Sequence, residues 1–160
     1  MISWMRNLTL SLCCVTLVAC GFHLRGANEF AFKSIFVNGN TQITKALKKS
    51  LTANGVEVTN DASTAEMEVD LMKEESEKRI LSLSGGGVVN EYELYYRVFY
   101  RVKSAKETLW SQPQTMEARR DFSYSDANLL AKQNEEKQLN LNMQRDVTQA
   151  ILRRLSAIKQ

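Results

Sequence analysis

Met67, Val69 and Leu71 alternate with Glu66, Glu68 and Asp70, the period-two pattern of a strand with one wet face. The alternation dissolves in the charged run Lys73 to Arg79 and resumes weakly over Ile80 to Leu83. This reads as one long strand with a solvated middle and a bulge near Met72. Gly85-Gly86-Gly87 reads as a hairpin tip, since it lacks the Lys-Ser/Thr pair that a phosphate loop needs. Asn90 to Lys103 is then the returning strand. Tyr92, Leu94, Tyr96, Val98, Tyr100 and Val102 form its core face; Glu91, Glu93, Tyr95, Arg97, Phe99, Arg101 and Lys103 form the other. After a turn at Ala105 to Glu107, Thr108 to Tyr124 reads as a last strand, which Pro113 places at an edge or a bulge.

The period changes elsewhere. Phe32 to Val37 is a short apolar run closed by Asn38-Gly39-Asn40, a first strand and turn. A helix follows, with Asn40 or Thr41 as its N-cap, Ile43, Leu47 and Leu51 along one side, and Asn54-Gly55 as its stop. Val56 to Thr59 is a short second strand, parallel to the first across that helix. From Asp126 a long helix carries Leu139, Met143, Val147, Ile151 and Leu155 at every fourth residue. Four exceeds the helical period of 3.6, so this row drifts and covers a broad sheet rather than a narrow seam. The sum is an α+β fold: a two-layer sandwich of two helices on one face of a mixed four- to five-stranded sheet, filling residues 32–160.

Two helices leave the other sheet face open. There Tyr95 and Phe99 stand among Arg97 and Arg101, the composition either of a partner surface or of a solvated face with stray aromatics.

The N-terminus adds a compartment. Leu8 to Ala19 is uncharged and mostly apolar; its twelve residues fall short of the roughly 20 needed to span a bilayer but suit a signal peptide. Leu17-Val18-Ala19-Cys20 resembles the lipobox of bacterial lipoproteins, in which the Cys thiol receives diacylglycerol. Residues 1–19 are therefore expected to be a cleaved signal and residues 20–31 a lipidated tether. Cys20 would carry diacylglycerol and an N-acyl chain, with no other cofactor. Cys13 and Cys14 would leave with the signal, so the core must fold without a disulfide. Gly21, in place of an Asp retention signal, favours the outer membrane.

Composition excludes more than it assigns. Lys and Arg number 21 against 18 Asp and Glu, a net charge of +3, which is no nucleic-acid footprint. The only histidine, His23, has no metal-ligand spacing around it, and no serine sits in a nucleophile elbow. Neither a metal site nor catalysis is expected.

Cys20-Gly21-Phe22-His23-Leu24-Arg25-Gly26 resembles the mature start of the LptE family of lipopolysaccharide-assembly lipoproteins. Ala46 to Val58, Gly87 to Leu94 and Leu129 to Glu136 resemble the family in order and spacing. The resemblance implies a lipoprotein that plugs a large outer-membrane β-barrel, helps it assemble, and binds lipopolysaccharide. It carries a lipopolysaccharide-binding role onto Lys132. The family's second basic position aligns with Gly85, a departure that Lys78 or Arg79 would have to make good in space. Arg97 and Arg101 are added as candidates for phosphates or acidic barrel residues, and Tyr95 and Phe99 for the partner surface. A non-catalytic periplasmic scaffold of another envelope complex is the alternative.

Overall fold

A computed structural model of the chain describes residues 29–158. The expected signal peptide, Cys20 and most of the expected tether lie outside them. The sheet contains β1 (Ser34–Asn38), β2 (Glu57–Thr59), β3 (Met67–Leu83), β4 (Val89–Ser104) and β5 (Gln114–Ser123), in the order β2-β1-β3-β4-β5. β1 runs parallel to β2 and β3, while β3, β4 and β5 form an antiparallel meander. Two helices, α1 (Thr44–Ala53) and α2 (Leu129–Ser156), cover one face, as the sequence pattern predicts.

The core follows the two periodicities. Leu47 and Leu51 of α1 and Met143, Val147, Ile151, Leu152 and Leu155 of α2 are buried against Ile35, Val37, Val69, Leu94, Tyr96, Val98 and Tyr100. Each such aliphatic side chain contributes about 1.5–3 kcal/mol on burial. Leu152 and Thr148 widen the α2 stripe beyond the row of fours, and the Thr148 hydroxyl donates to the Gln144 carbonyl at 2.7 Å. Phe30, at the end of the tether, packs on Phe32 with ring centroids 5.3 Å apart.

Two buried phenols are anchored by polar groups. The Tyr96 hydroxyl donates to Glu74 at 2.7 Å, and the other Glu74 oxygen accepts from the Gln42 backbone N–H at 2.6 Å. Glu74 thus ties β3 and β4 to the start of α1. The Tyr100 hydroxyl lies 3.1 Å from Gln114 Oε1. Among the described residues no buried side-chain nitrogen or oxygen lacks a partner.

The expected bulge is present: Leu71 pairs with Tyr100 and Lys73 with Phe99, which leaves Met72 as the extra residue. The hairpin closes through Ser84 and Val88, with Gly87 at φ +78° in the left-handed position that a three-residue loop requires.

β1 and β2 start one or two residues later than expected, and three further boundaries differ. α1 has Ile43 rather than Asn40 or Thr41 at its N-cap. No side chain caps it; the Thr44 hydroxyl instead pins the preceding turn, accepting from the Thr41 N–H at 3.1 Å and donating to the Gly39 carbonyl at 3.1 Å. The last strand starts at Gln114, not Thr108. Val102 already exchanges its backbone bonds with Ser111, through the Ser111 N–H at 2.8 Å and the Ser111 hydroxyl at 3.1 Å, so a local turn occupies that stretch of β4. Residues Asp126–Asn128 form a 3-10 turn before α2 begins.

Candidate functional site

The open face of the sheet is a lattice of paired charges. Register sets Glu68 opposite Lys103, Asp70 opposite Arg101, and Arg97 opposite Glu117. The side chains complete these pairs: Lys103 to Glu68 at 2.6 Å, Arg101 to Asp70 at 2.9 Å, and Arg97 held between Glu117 and Glu77, the latter at 3.0 Å. Arg119 reaches Glu93 at 2.6 Å and Asp121 at 3.4 Å. Hydrogen bonds to Glu117 and then Glu77 push the Arg97 guanidinium up from its ordinary value. In return, Arg79 first and Arg97 second hold the Glu77 carboxyl below the usual range.

Aromatic rings are set into this lattice. Tyr95 lies between the guanidiniums of Arg79, at 4.8 Å, and Arg97, at 4.6 Å. Phe99 is half-buried between Lys73 and Thr115 in register. Trp110 packs over Arg101 at 4.6 Å and Lys103 at 5.2 Å. Sequence reasoning passed over Trp110, because it lies in the loop first read as strand. The face therefore presents fixed, alternating charge around flat rings. Such a surface selects a partner by complementarity more than by raw attraction. Arg97 and Arg101 sit on it with carboxylates already at hand, so an incoming phosphate must share or displace them.

A second cluster lies at the start of α2. The Lys132 ammonium donates to the Ser123 hydroxyl at 3.0 Å and to Glu135 at 2.8 Å. Across the sheet, the Lys78 ammonium stands 4.1 Å from the Tyr92 ring centroid, 5.4 Å from Phe122 and 5.9 Å from Tyr124, and pairs with Glu136 at 2.6 Å. Tyr92 stacks on Phe122 at 5.8 Å and meets Tyr124 edge-on at 5.1 Å. The helix begins with no side-chain cap at Asn128 and no acid in its first turn, so its first N–H groups favour anions here. One ammonium above an aromatic floor and a second at the neighbouring Ser123 form a corner suited to an anionic group bearing an apolar body.

The bulge explains why Lys78, and not Arg79, joins Lys132. One extra residue at Met72 reverses the alternation, so Glu74, Ser76, Lys78 and Ile80 turn toward the helices while Lys73, Glu75, Glu77 and Arg79 take the open face. The structure thus divides the candidates between two places: Arg97, Arg101, Tyr95 and Phe99 on the open face, Lys132 at the helix corner. The signal for the aromatic floor was in the sequence: Tyr92, Phe122 and Tyr124 fall together once β4 and β5 are paired.

No helix among the described residues is long and apolar enough to cross a membrane, and none of their His, Cys, Asp and Glu side chains form a group of three that could hold a metal.

This architecture is that of a small α+β domain found in bacterial envelope lipoproteins. A lipoprotein B of Nitrosomonas europaea shares it with a TM-score of 0.75 and 35% identity, over 86% of this chain and 91% of that one. The rare lipoprotein B of Shewanella oneidensis matches with a TM-score of 0.69 and 26% identity, over 78% and 94% of the two chains. A minor lipoprotein of Acinetobacter baumannii, 23% identical, shares the fold with a TM-score of 0.65 over 80% of this chain and 93% of its own. No curated protein sequence matches. The family described as LptE, lipopolysaccharide-assembly, matches residues 32–155, and the chain belongs to that family.

Proposed function

We propose that this chain is an outer-membrane lipoprotein, anchored through acyl chains on Cys20. It plugs and helps assemble a large β-barrel translocon and binds lipopolysaccharide for insertion into the outer leaflet, without catalysis of its own. Family membership supports the assembly role. The observation that carries the binding role is the corner at the start of α2. There Lys78 offers an ammonium group over Tyr92, Phe122 and Tyr124, and Lys132 a second one at Ser123, the residue between Phe122 and Tyr124. A phosphorylated glycolipid needs both cations and an apolar surface. The ion pairs to Glu135 and Glu136 are partly exposed and hold the lysines only weakly, so a dianionic phosphate competes with them.

The plug role draws on the open sheet face. Barrel interiors are polar, and a lattice of satisfied ion pairs meets a polar wall without burying an unpaired charge. Tyr95 and Phe99 supply the flat contacts, and Arg97 and Arg101 the charges that acidic wall residues or phosphates would share.

The test is a pull-down from native outer membranes with the full chain tagged at its C-terminus, read by mass spectrometry and a lipopolysaccharide assay. A stoichiometric large barrel with bound lipopolysaccharide is expected. Lys132→Ala combined with Lys78→Ala should keep the barrel and lose most of the lipopolysaccharide. Recovery of the chain with soluble envelope proteins and no barrel leaves the scaffold reading in its place.

A further inference from the structure

Large apolar side chains are left exposed at one end of the molecule. Eight are exposed among the described residues, and six of them are Ile80, Leu81, Leu83, Val88, Leu129 and Leu130. The hydrogen-bond pattern brings these six to the same end. Ile80 is opposite Tyr92, Tyr92 is opposite Phe122, and Ser123 is opposite Glu91. The Tyr124 N–H donates to the Asn90 carbonyl at 2.7 Å, and α2 starts five residues later with Leu129. The hairpin end and the first turn of α2 therefore flank the lysine corner.

The other end of the sheet is where the chain comes in from its N-terminus. There the Lys33 N–H donates to Glu66 and the Ala105 N–H to the Glu66 carbonyl. Met67 to Leu83 spans about 50 Å at the rise of an extended strand, so the hairpin end lies far from the point where the chain enters the sheet.

We propose that this apolar end seats acyl chains of lipopolysaccharide, while Lys78 and Lys132 beside it meet phosphates of the same molecule. The proposal rests on the lipopolysaccharide-binding reading and adds where the lipid tails lie. Two features on opposite flanks argue for a lipid over a protein segment. The apolar side chains surround a tip of three glycines with no side chains to interlock with a protein partner. The cations stand at the inner margin of the patch, Lys78 on an aromatic floor and Lys132 at Ser123 beside it, so head and tail of one amphiphile meet complementary surfaces together. Ile80, at 57% exposure, is next along the strand face from Lys78, which makes that junction continuous.

The experiment places a photoreactive benzoyl-phenylalanine in the full chain, in cells of the source bacterium. It stands at Val88 on the hairpin, at Ala131 beside Lys132, or at Leu109 far from both. After irradiation, adducts are blotted for lipopolysaccharide and sequenced by mass. The expected result is a lipopolysaccharide adduct at Val88 with the new bond on an acyl chain, one at Ala131, and none at Leu109. Ile80→Ser with Leu83→Ser should lower the Ala131 adduct about tenfold, the loss expected when two or so methylenes stop being buried. Both side chains are already exposed, so the fold should survive and circular dichroism should be unchanged. Lipopolysaccharide at Ala131 with only phospholipid or protein at Val88 overturns the acyl seat and leaves the binding reading standing. Lipopolysaccharide at neither position overturns both.

Discussion

Gly39→Ala is the sharpest test of how the sheet and α1 are joined. Gly39 has φ +118°, and a Cβ placed on it would lie 2.5 Å from the Leu71 carbonyl oxygen and 2.8 Å from the Leu71 Cβ. Leu71 is buried in β3 immediately before the Met72 bulge, so neither atom can swing aside. A non-glycine residue at such a φ costs about 1–3 kcal/mol. Forcing the turn away from β3 adds about 1–3 kcal/mol of overpacking. The sum is about 4 kcal/mol. Gly55 is the matched control: its φ is +82°, but a Cβ there meets nothing within 4 Å. Gly55→Ala should lose about 1–2 kcal/mol of conformational energy, and the gain of about 0.4–1 kcal/mol from a stiffer unfolded chain is common to both variants and cancels. The two variants should thus differ by about 3 kcal/mol, or on the order of 10 °C in midpoint for a domain of this size. Urea and thermal unfolding followed by far-ultraviolet circular dichroism measure the gap, with equal m-values as the check on two-state behaviour. Equal losses in the two variants would refute the close approach of this turn to β3.

Three further outcomes follow from the polar interior and the open face. Glu74→Ala should cost about 3 kcal/mol in urea unfolding, because it strands the Tyr96 hydroxyl and the Gln42 N–H together; a loss within error would mean that water replaces the carboxylate. Arg79 and Arg97 hold Glu77 below its ordinary pKa, and the Ser63 N–H and hydroxyl do the same for Asp61, so both carboxylates are more acidic folded than unfolded. Their stabilisation is complete above the unfolded values near ~4 and is lost as pH falls through the folded ones. The urea midpoint should therefore stay level from neutral pH to about 5 and then decline, less steeply in Glu77→Gln. Burial and then the Glu74 hydrogen bond push the Tyr96 phenol well above its usual range, and burial raises Tyr100. The folded chain keeps protons that the unfolded chain sheds above about pH 10, so stability should fall with rising pH there. Tyrosinate absorbance should appear together with unfolding; a large tyrosinate signal in the still-folded protein would contradict the burial.

The sheet and its two helices were legible because their periodicities are long and clean. Met67 to Leu71, Tyr92 to Val102 and the row from Leu139 to Leu155 each keep one period for several turns or pleats, and each lands on the core as expected. Boundaries failed where a side chain stands in for backbone. Thr44 ties down the turn before its own helix, and Ser111 mimics a strand along Val102, so neither the expected cap nor the expected strand start was needed. The family was legible from motifs, whereas the corner around Lys132 was only half so. The lysine stood in a recognisable stretch, but its companion Lys78 depends on a single bulged residue that reverses which side chains turn inward.

That reversal also gives the acidic run of β3 its meaning. Along the chain, the acids from Glu66 to Glu77 are interrupted by a single cation, Lys73, and should repel and stay in water. Folded, the run is split across the sheet. Glu68, Asp70 and Glu77 meet Lys103, Arg101 and Arg97 on the open face, while Glu74 turns inward to hold Tyr96 and the start of α1. Cross-strand pairs of opposite charge favour one register, and a slip of two residues would set Asp70 against Phe99 or Lys103 in place of Arg101. The same pairs leave the face nearly self-neutral, with its aromatic rings clamped by cations. A free surface gains little from so many exposed pairs, whereas a surface enclosed by polar walls must satisfy every charge locally before it is covered. In the proposed plug, the paired face is the side that the barrel wall would cover, and the lysine corner and the apolar hairpin lie at the far end for the proposed amphiphile.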